Sequence, residues 1–365
     1  MGAAAPSLSD RIFGCLVASA IGDAMGGPVE LWDGEDIRKA YGEVDRLLPY
    51  RHSAVSEHGP WGLEAGCFTD DTRMARLFCE AMLACGGMPT TGDLARTFAA
   101  RYHGADSDLE RGFLEEYYLK HLYRDEKRIF GGQPTNGAIM GIAPFGAVAP
   151  CDPDRAFRGA LDALATTEGY ARHAAAMAAA AVSAAMIPGL SPLEVVEASL
   201  QAVARHKARV DGPLWRGSGM YAGIARKSEQ ALETAVEIAL RHGRYDDAFR
   251  TELLGAIRME FFADGAETLA LALACFVLAE GDPGHTIRYA VNLGRDNDSS
   301  ACVAGAVAGA YRGAPALDPD WIRLVEAACP PPSFRSLADG LLAIVRSEQA
   351  ARRRTLVALD ALEAL

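Results

Sequence analysis

Apolar residues recur every three or four positions along most of this chain, the spacing that lines one face of an α-helix. The pattern predicts helices over 11–21, 73–84, 174–186, 192–205, 229–242, 266–278 and 301–311. The alternation of a half-buried strand is hard to find anywhere. Breaks fall where glycine and proline cluster, at Gly86-Gly87-Met88-Pro89, Gly131-Gly132-Gln133-Pro134 and Gly281-Asp282-Pro283-Gly284. Each is short enough to join two helices, and none has the length of a flexible linker. The expectation is an all-α fold in one domain spanning 1–365, with no repeat of solenoid length.

Two helices carry stripes almost without side chains. Gly14, Ala18 and Gly22 lie four residues apart, as do Ala301, Gly305 and Gly309. Glycine inside a helix costs about 1 kcal/mol against alanine, so two such stripes predict close backbone approach to a neighbour.

The chain has 365 residues, half of them apolar, which allows a substantial core. Its most apolar stretch, 174–187, is largely alanine and shorter than a bilayer span, and so reads as a buried helix. The opening MGAAAPSLSDR lacks a basic and then apolar leader, and Pro6 stands where myristoylation wants Ser or Thr. Eight scattered cysteines without a C-x-x-C pair suit free thiols in a reducing compartment, and the expected location is the cytoplasm. A net charge of −12 argues against a nucleic-acid partner, and monomer is expected over obligate oligomer.

Chemistry concentrates in two acidic clusters, each at the start of a predicted helix: Thr69-Asp70-Asp71-Thr72 and Asp296-Asn297-Asp298-Ser299-Ser300. N-capping explains one oxygen at each helix start. It does not explain two carboxylates in each cluster beside helices that should be buried, where uncompensated anions are costly. Cations resolve that cost. Asp with Thr or Ser, and no Cys or His nearby, selects Mg²⁺, Mn²⁺ or Ca²⁺ over zinc, with Mg²⁺ or Mn²⁺ expected. Four carboxylates exceed the usual share of one Mg²⁺ and suit two ions.

Two further segments add to this. Gly22-Asp23-Ala24-Met25-Gly26-Gly27-Pro28-Val29-Glu30 ends a small-residue helix in a glycine turn bearing Glu30. Packing of the two bare stripes would bring Glu30 to the Asp296 cluster as a metal ligand or general base. The loop Phe130-Gly131-Gly132-Gln133-Pro134-Thr135-Asn136-Gly137, running into Met140, offers backbone N–H groups of the kind that cradle phosphate.

Taken in order, these four elements resemble the ADP-ribosylglycohydrolase family over residues 9–314. The hallmarks read Gly22-Asp23-Ala24-x-Gly26 with Glu30, Phe68-Thr69-Asp70-Asp71-Thr72, Asn136-Gly137 with Met140 and Pro144, and Gly294-Arg295-Asp296-Asn297-Asp298-Ser299. The resemblance implies an orthogonal multi-helix bundle with two Mg²⁺ or Mn²⁺ ions in a central cleft. By that analogy Thr69, Asp70 and Asp71 hold one ion, and Asp296, Asp298 and Ser299 the other, with Asp298 bridging. Glu30 or a metal-bound aspartate such as Asp71 or Asp298 would handle the water. Gly132, Gln133, Asn136, Gly137 and Met140 would hold the ribose and diphosphate.

The implied activity is hydrolysis at a ribosyl C1 bond, releasing ADP-ribose from a protein or small molecule. Three departures stand out: Ser299 in place of threonine, Gly141 where many members carry arginine, and no histidine around Thr166-Thr167-Glu168-Gly169-Tyr170. The last two leave room for a hydrolase of nucleosides or other small N-ribosides. A non-catalytic ADP-ribose-binding or crystallin-like role is the alternative outside enzymology.

Overall fold

A computed structural model of the protein describes residues 5–50, 62–105, 111–114, 134–164, 166–167, 169–206 and 226–363. Helices account for the regular structure among them. In the N-terminal third these are α1 (Leu8–Gly26), α2 (Gly34–Tyr41), α3 (Asp70–Cys85) and α4 (Thr91–Gly104). The middle holds α5 (Ala143–Ala147), α6 (Pro153–Ala163), α7 (Tyr170–Ala185), α8 (Pro192–Arg205), α9 (Lys227–His242) and α10 (Asp247–Ile257). The chain continues through α11 (Gly265–Leu278), α12 (Pro283–Leu293), α13 (Asn297–Arg312), α14 (Pro319–Ala328) and α15 (Phe334–Glu363). The described residues form no ladder of strands, only the isolated bridges Asp33 to Gly294 and Thr135 to Asp264. Every helix expected from periodicity is present, and the all-α fold is as the sequence implies.

Local chemistry sets the helix ends. Ser7, Thr90 and Ser191 each accept from a backbone N–H three residues on, while Asp10, Asp93 and Glu194 return the bond in capping boxes. Gly86 and Gly243 stop α3 and α9 in the left-handed conformation that glycine adopts without a Cβ clash. Pro283 opens α12, where its missing N–H costs nothing.

At the centre α1 and α13 lie antiparallel, stripe against stripe. A Cβ on Gly309 would stand 2.1 Å from the Gly14 carbonyl oxygen, one on Gly305 2.2 Å from that of Ala18, and one on Gly22 2.1 Å from that of Ala301. The expectation of close approach is therefore met, and the two stripes meet each other. α7 packs on the same core with Ala174 to Ala181 fully buried, as its alanine run predicts. Among the described residues one segment, Leu8–Val29, is long and apolar enough to cross a membrane, yet its residues 12–29 are all buried inside the protein.

The contact makes a contrast between two glycines testable. Gly305→Ala puts a methyl into the Ala18 backbone and is expected to cost about 2–3 kcal/mol in urea unfolding, because overpacking outweighs the helix-propensity gain. Gly255 in α10 is exposed and has nothing within 4 Å of an added Cβ. Gly255→Ala should stabilise by about 0.5–1 kcal/mol. Equal effects at the two positions would refute the close packing.

Candidate active site

The antiparallel pairing joins the C-terminal end of α1 to the N-terminal end of α13. A Cβ on Gly26 would stand 2.4 Å from the Asp298 Cα, so the two backbones touch at the first turn of α13. The turn after α1, a 3₁₀ segment at Gly27–Val29, then brings Glu30 over that helix start. Glu30, Asp296 and Asp298 each present a carboxylate oxygen, and these three oxygens all lie within 4.8 Å of one another. Glu30 thus reaches the Asp296 cluster as expected.

Two backbone bonds fasten the Glu30 turn. The Leu31 N–H donates to the Arg295 carbonyl at 2.8 Å, and the Arg295 N–H donates to the Trp32 carbonyl at 2.9 Å. Leu31 (φ 65°) and Arg295 (φ 68°) both adopt the left-handed conformation that non-glycine residues rarely take. That strain flanks Glu30 on one strand of the contact and Asp296 on the other. The Arg295 side chain is anchored in turn: Nε and Nη2 donate to Glu267 at 2.7 and 2.9 Å, and Nη2 also to the Met259 carbonyl at 3.0 Å.

α3 enters from the side, and Asp23 holds its first turn. The Thr69 and Thr72 N–H groups donate to Asp23 Oδ1 and Oδ2, each at 2.9 Å, and both hydroxyls donate to the same carboxylate. Asp23 is fully buried. Burial, then the charge of Asp298, push it up to about 7 against those four donors. Thr69 Oγ1 also lies 3.4 Å from Asp298 Oδ2, so the two acidic clusters converge. Capping does not account for them, since Asp296 makes no cap bond at the start of α13 and α3 is capped by Thr69 and Asp23.

Asp71, Asp296 and Asp298 are buried, Ser299 with them, while Asp70 is partly exposed. Burial comes first among the causes that raise Asp71, Asp296 and Asp298, and neighbouring carboxylates come next for Asp71 and Asp296. Glu30 is pushed up to about 9 by burial, then by Asp298, Asp70 and Asp23. Asp71 Oδ2 is buried without a hydrogen-bond partner. A converging set of carboxylates with one oxygen orphaned, and only carboxylates and hydroxyls as donors, fits hard divalent cations. Thr69, Asp70, Asp71, Asp296, Asp298 and Ser299 are the residues present to hold them, with the Glu30 carboxylate beside them.

The opposite wall is built from loops. Asn136 is buried, and its Nδ2 donates to Asp296 Oδ2 while its N–H donates to the Ala263 carbonyl at 2.8 Å. Gly137 and Met140 follow it into the core, and the Met140 carbonyl accepts from Cys302 Sγ at 3.2 Å on α13. Gly132 and Gln133 lie outside the described residues. At Gly141 a Cβ would meet Met74 Cγ at 2.7 Å and the Ala75 nitrogen at 2.9 Å, so this chain has no room there for an arginine. Thr167 donates through Oγ1 to the Thr135 carbonyl. The Tyr170 hydroxyl donates to Asp264 Oδ2 at 2.6 Å, and Lys227 Nζ donates to the same Tyr170 oxygen at 3.1 Å.

Several of these residues escaped sequence reasoning. Asp23 sat in a motif already singled out, and its carboxylate one step past the bare Gly22 was the available signal. Arg295 and Glu267 are 28 residues apart, so nothing in the spacing pairs them. Phe261 and Phe262, exposed with ring centroids 5.0 Å apart, sit between Met259 and Ala263, the two carbonyls tied to Arg295 and Asn136.

Comparisons with known proteins place the chain in a family. A family model described as ADP-ribosylglycohydrolase matches residues 4–352. The uncharacterized protein YegU of Escherichia coli (strain K12) is 30% identical over 329 residues, covering 85% of this chain and 90% of that protein. ADP-ribosylhydrolase ARH3 of Bos taurus is 28% identical over 353 residues, covering 87% and 89%. A solved structure named ADP-ribosylglycohydrolase-related protein complex shares the fold, with a TM-score of 0.55 at 24% identity over 93% of this chain and 98% of that one. With the motifs in order and the match spanning nearly the whole sequence, the chain belongs to the ADP-ribosylglycohydrolase family.

Proposed function

We propose that this protein is a metal-dependent glycohydrolase that cleaves a ribosyl C1 bond, removing ADP-ribose from a modified protein or small molecule. The observation that carries the reading is the convergence of Glu30, Asp296 and Asp298 within 4.8 Å beside the orphaned Asp71 Oδ2. Thr69, Asp70 and Asp71 would hold one Mg²⁺ or Mn²⁺, and Asp296, Asp298 and Ser299 a second, with Asp298 shared. Bound there, such ions supply positive charge for the ribose hydroxyls and make a nearby water more acidic.

The rest is done by the chain's own groups. Cleavage at C1 passes through an oxocarbenium-like transition state in which water oxygen bonds to C1 as the bond to the leaving group breaks. Glu30 accepts the proton that water gives up, the departing group takes a proton from solvent as it leaves, and Glu30 later returns its own to solvent, so the products together gain one water. Partial burial and then the charges of Asp298, Asp70 and Asp23 raise the Glu30 carboxyl, whereas positive charge beside it would favour the carboxylate, which would couple base strength to cation binding. Asn136, donating to Asp296, fixes that carboxylate and faces the ribose. Positioning and electrostatics supply most of the barrier reduction.

A smaller substrate, a nucleoside or other N-riboside, is the second reading. The tight packing at Gly141 favours it, because this chain offers no arginine there for a nucleotide phosphate. Assaying chelated and Mn²⁺-loaded protein on ADP-ribosyl-arginine, ADP-ribosyl-serine and simple nucleosides distinguishes the readings by the ribose species released. Turnover of nucleosides alone would overturn ADP-ribose release. Equal rates with and without metal would overturn metal dependence.

Glu30→Gln keeps the shape but cannot accept a proton, so kcat should fall about 10²-fold or more while KM and Mn²⁺ affinity by calorimetry stay near wild type. An unchanged kcat would remove Glu30 as the base. A parallel loss of metal affinity would make it a ligand instead.

Removing metal exposes a pH dependence of known sign. Glu30 rises from 4.5 to about 9 and Asp23 from 3.8 to about 7 on folding, so the folded state holds protons that the unfolded chain has released. Their contribution to stability is full below about pH 4 and is lost as pH rises through about 7 and then about 9. In chelator, Tm should therefore fall between about pH 5.5 and pH 9, and Mn²⁺ should raise it most at the alkaline end. Glu30→Gln should flatten the upper part of that fall in scanning calorimetry. Identical profiles for wild type and variant would contradict the burial of an ionisable Glu30.

A further inference from the structure

The last turns of α15 leave the body of the protein. On its inner half, Phe334, Leu337, Ala338, Leu341, Leu342 and Val345 are buried against the core, whereas residues 349–363 are all exposed. The family match stops at residue 352, so this projection lies almost wholly beyond what the family shares. Its apolar face nevertheless continues. Leu356 follows Val345 by eleven residues, three helical turns, and Leu359 follows Leu341 by eighteen, five turns, so both carry on the core-facing stripe. Leu362 flanks them. These leucines are 59%, 50% and 66% exposed, three large apolar side chains in a row with solvent on them.

The charges at the two ends of the stripe say what fits it. Arg352 precedes the leucines and Glu363 follows them, again eleven residues apart and hence on the same face. We propose that this segment pairs antiparallel with the same segment of a second copy, about a two-fold axis passing between Val357 and Ala358. In that register Arg352 of each copy meets Glu363 of the other, and Leu356 meets Leu359. A parallel pairing would set arginine on arginine and glutamate on glutamate. Among the described residues Arg352 pairs with Asp152, at a long 3.7 Å and exposed, so that pair competes weakly.

An antiparallel pair repeats every contact twice, as a closed two-fold interface requires. Three turns span only about 16 Å. The surface covered is below that of a standard interface, and the dimer should be weak, with a Kd on the order of micromolar. An anionic lipid surface is the other occupant that Arg352, Arg353 and Arg354 with leucines invite. Asp360 and Glu363 beside the same leucines oppose it.

Sedimentation velocity on the full chain from roughly 1 to 300 µM tests the pairing across the Kd range expected of a small interface. The wild type should shift from monomer towards dimer over that range. Leu356→Glu with Leu359→Glu should remain monomeric, with far-UV circular dichroism unchanged because both side chains are exposed. Glu363→Arg alone should weaken association about ten-fold, and adding Arg352→Glu should restore it to within about three-fold. Monomer at every concentration, or a dimer indifferent to the leucine and charge substitutions, overturns the proposal. So does a chain that stays monomeric yet sediments with phosphatidylserine vesicles.

Discussion

Everything at the site depends on two helices touching backbone to backbone. Side chains on Gly14, Gly22, Gly305 or Gly309 would hold α1 and α13 apart, since each Cβ would fall within 2.6 Å of backbone atoms opposite. Without that contact Gly26 would not lie on the Asp298 backbone, and the turn bearing Glu30 would be carried away from Asp296. Helix axes usually lie 8–10 Å apart, set by the side chains between them. Removing those side chains turns an ordinary helix contact into a rigid frame. The glycines lower helix propensity in both helices, and buried packing over many turns offsets that loss.

That frame makes an electrostatic problem soluble. The starts of α3 and α13 bring partial positive charge and free N–H groups to the cleft, and Asp23 uses both for α3. The N–H of Ser299 donates to Asp298 Oδ1 at 2.9 Å in the same manner. These contacts are too few for the number of carboxylates. Asp71 keeps an oxygen without a partner, and the raised Glu30 reflects anions crowding one another away from water. Divalent cations would convert mutual repulsion among Glu30, Asp71, Asp296 and Asp298 into shared attraction. This crowding of carboxylates is what the metal-dependent reading proposed above rests on.

Much of this was legible in sequence because it is local or periodic. A helix start carrying Thr69-Asp70-Asp71-Thr72 is visible in four letters, and a bare stripe is visible in the four-residue spacing of Gly14, Ala18 and Gly22. Even the delivery of Glu30 followed, since it needs only that two stripes meet. What stayed hidden joins distant residues through specific bonds. Arg295 with Glu267, Tyr170 with Asp264, and Thr167 with Thr135 are ordinary polar residues until the fold pairs them. In sequence Asp23 looks like part of a glycine turn, because its two threonine partners begin 46 residues later. The left-handed Leu31 and Arg295 gave no sign either, as neither residue type favours that conformation.

The division between what was readable and what was hidden follows a division in the site itself. The acidic floor rests on α1, α3 and α13, whose mutual geometry is fixed by close packing and buried hydrogen bonds. The facing wall consists of loops: Pro134 to Gly141, Thr166 and Thr167, and Met259 to Asp264. Among the described residues their ties to the floor include Asn136 to Asp296, Met140 to Cys302 and Arg295 to Met259. Loops held at their ends tolerate substitution between those points far better than packed helices do. The exposed Phe261 and Phe262 occupy such a span, and Gly141 stands where packing against α3 has removed any side chain. Chemistry belonging to the family can therefore persist on the floor while the wall changes what is bound. On the proposed reading these loops would select the leaving group, and substitutions there should redirect specificity without disturbing the carboxylate frame beneath them.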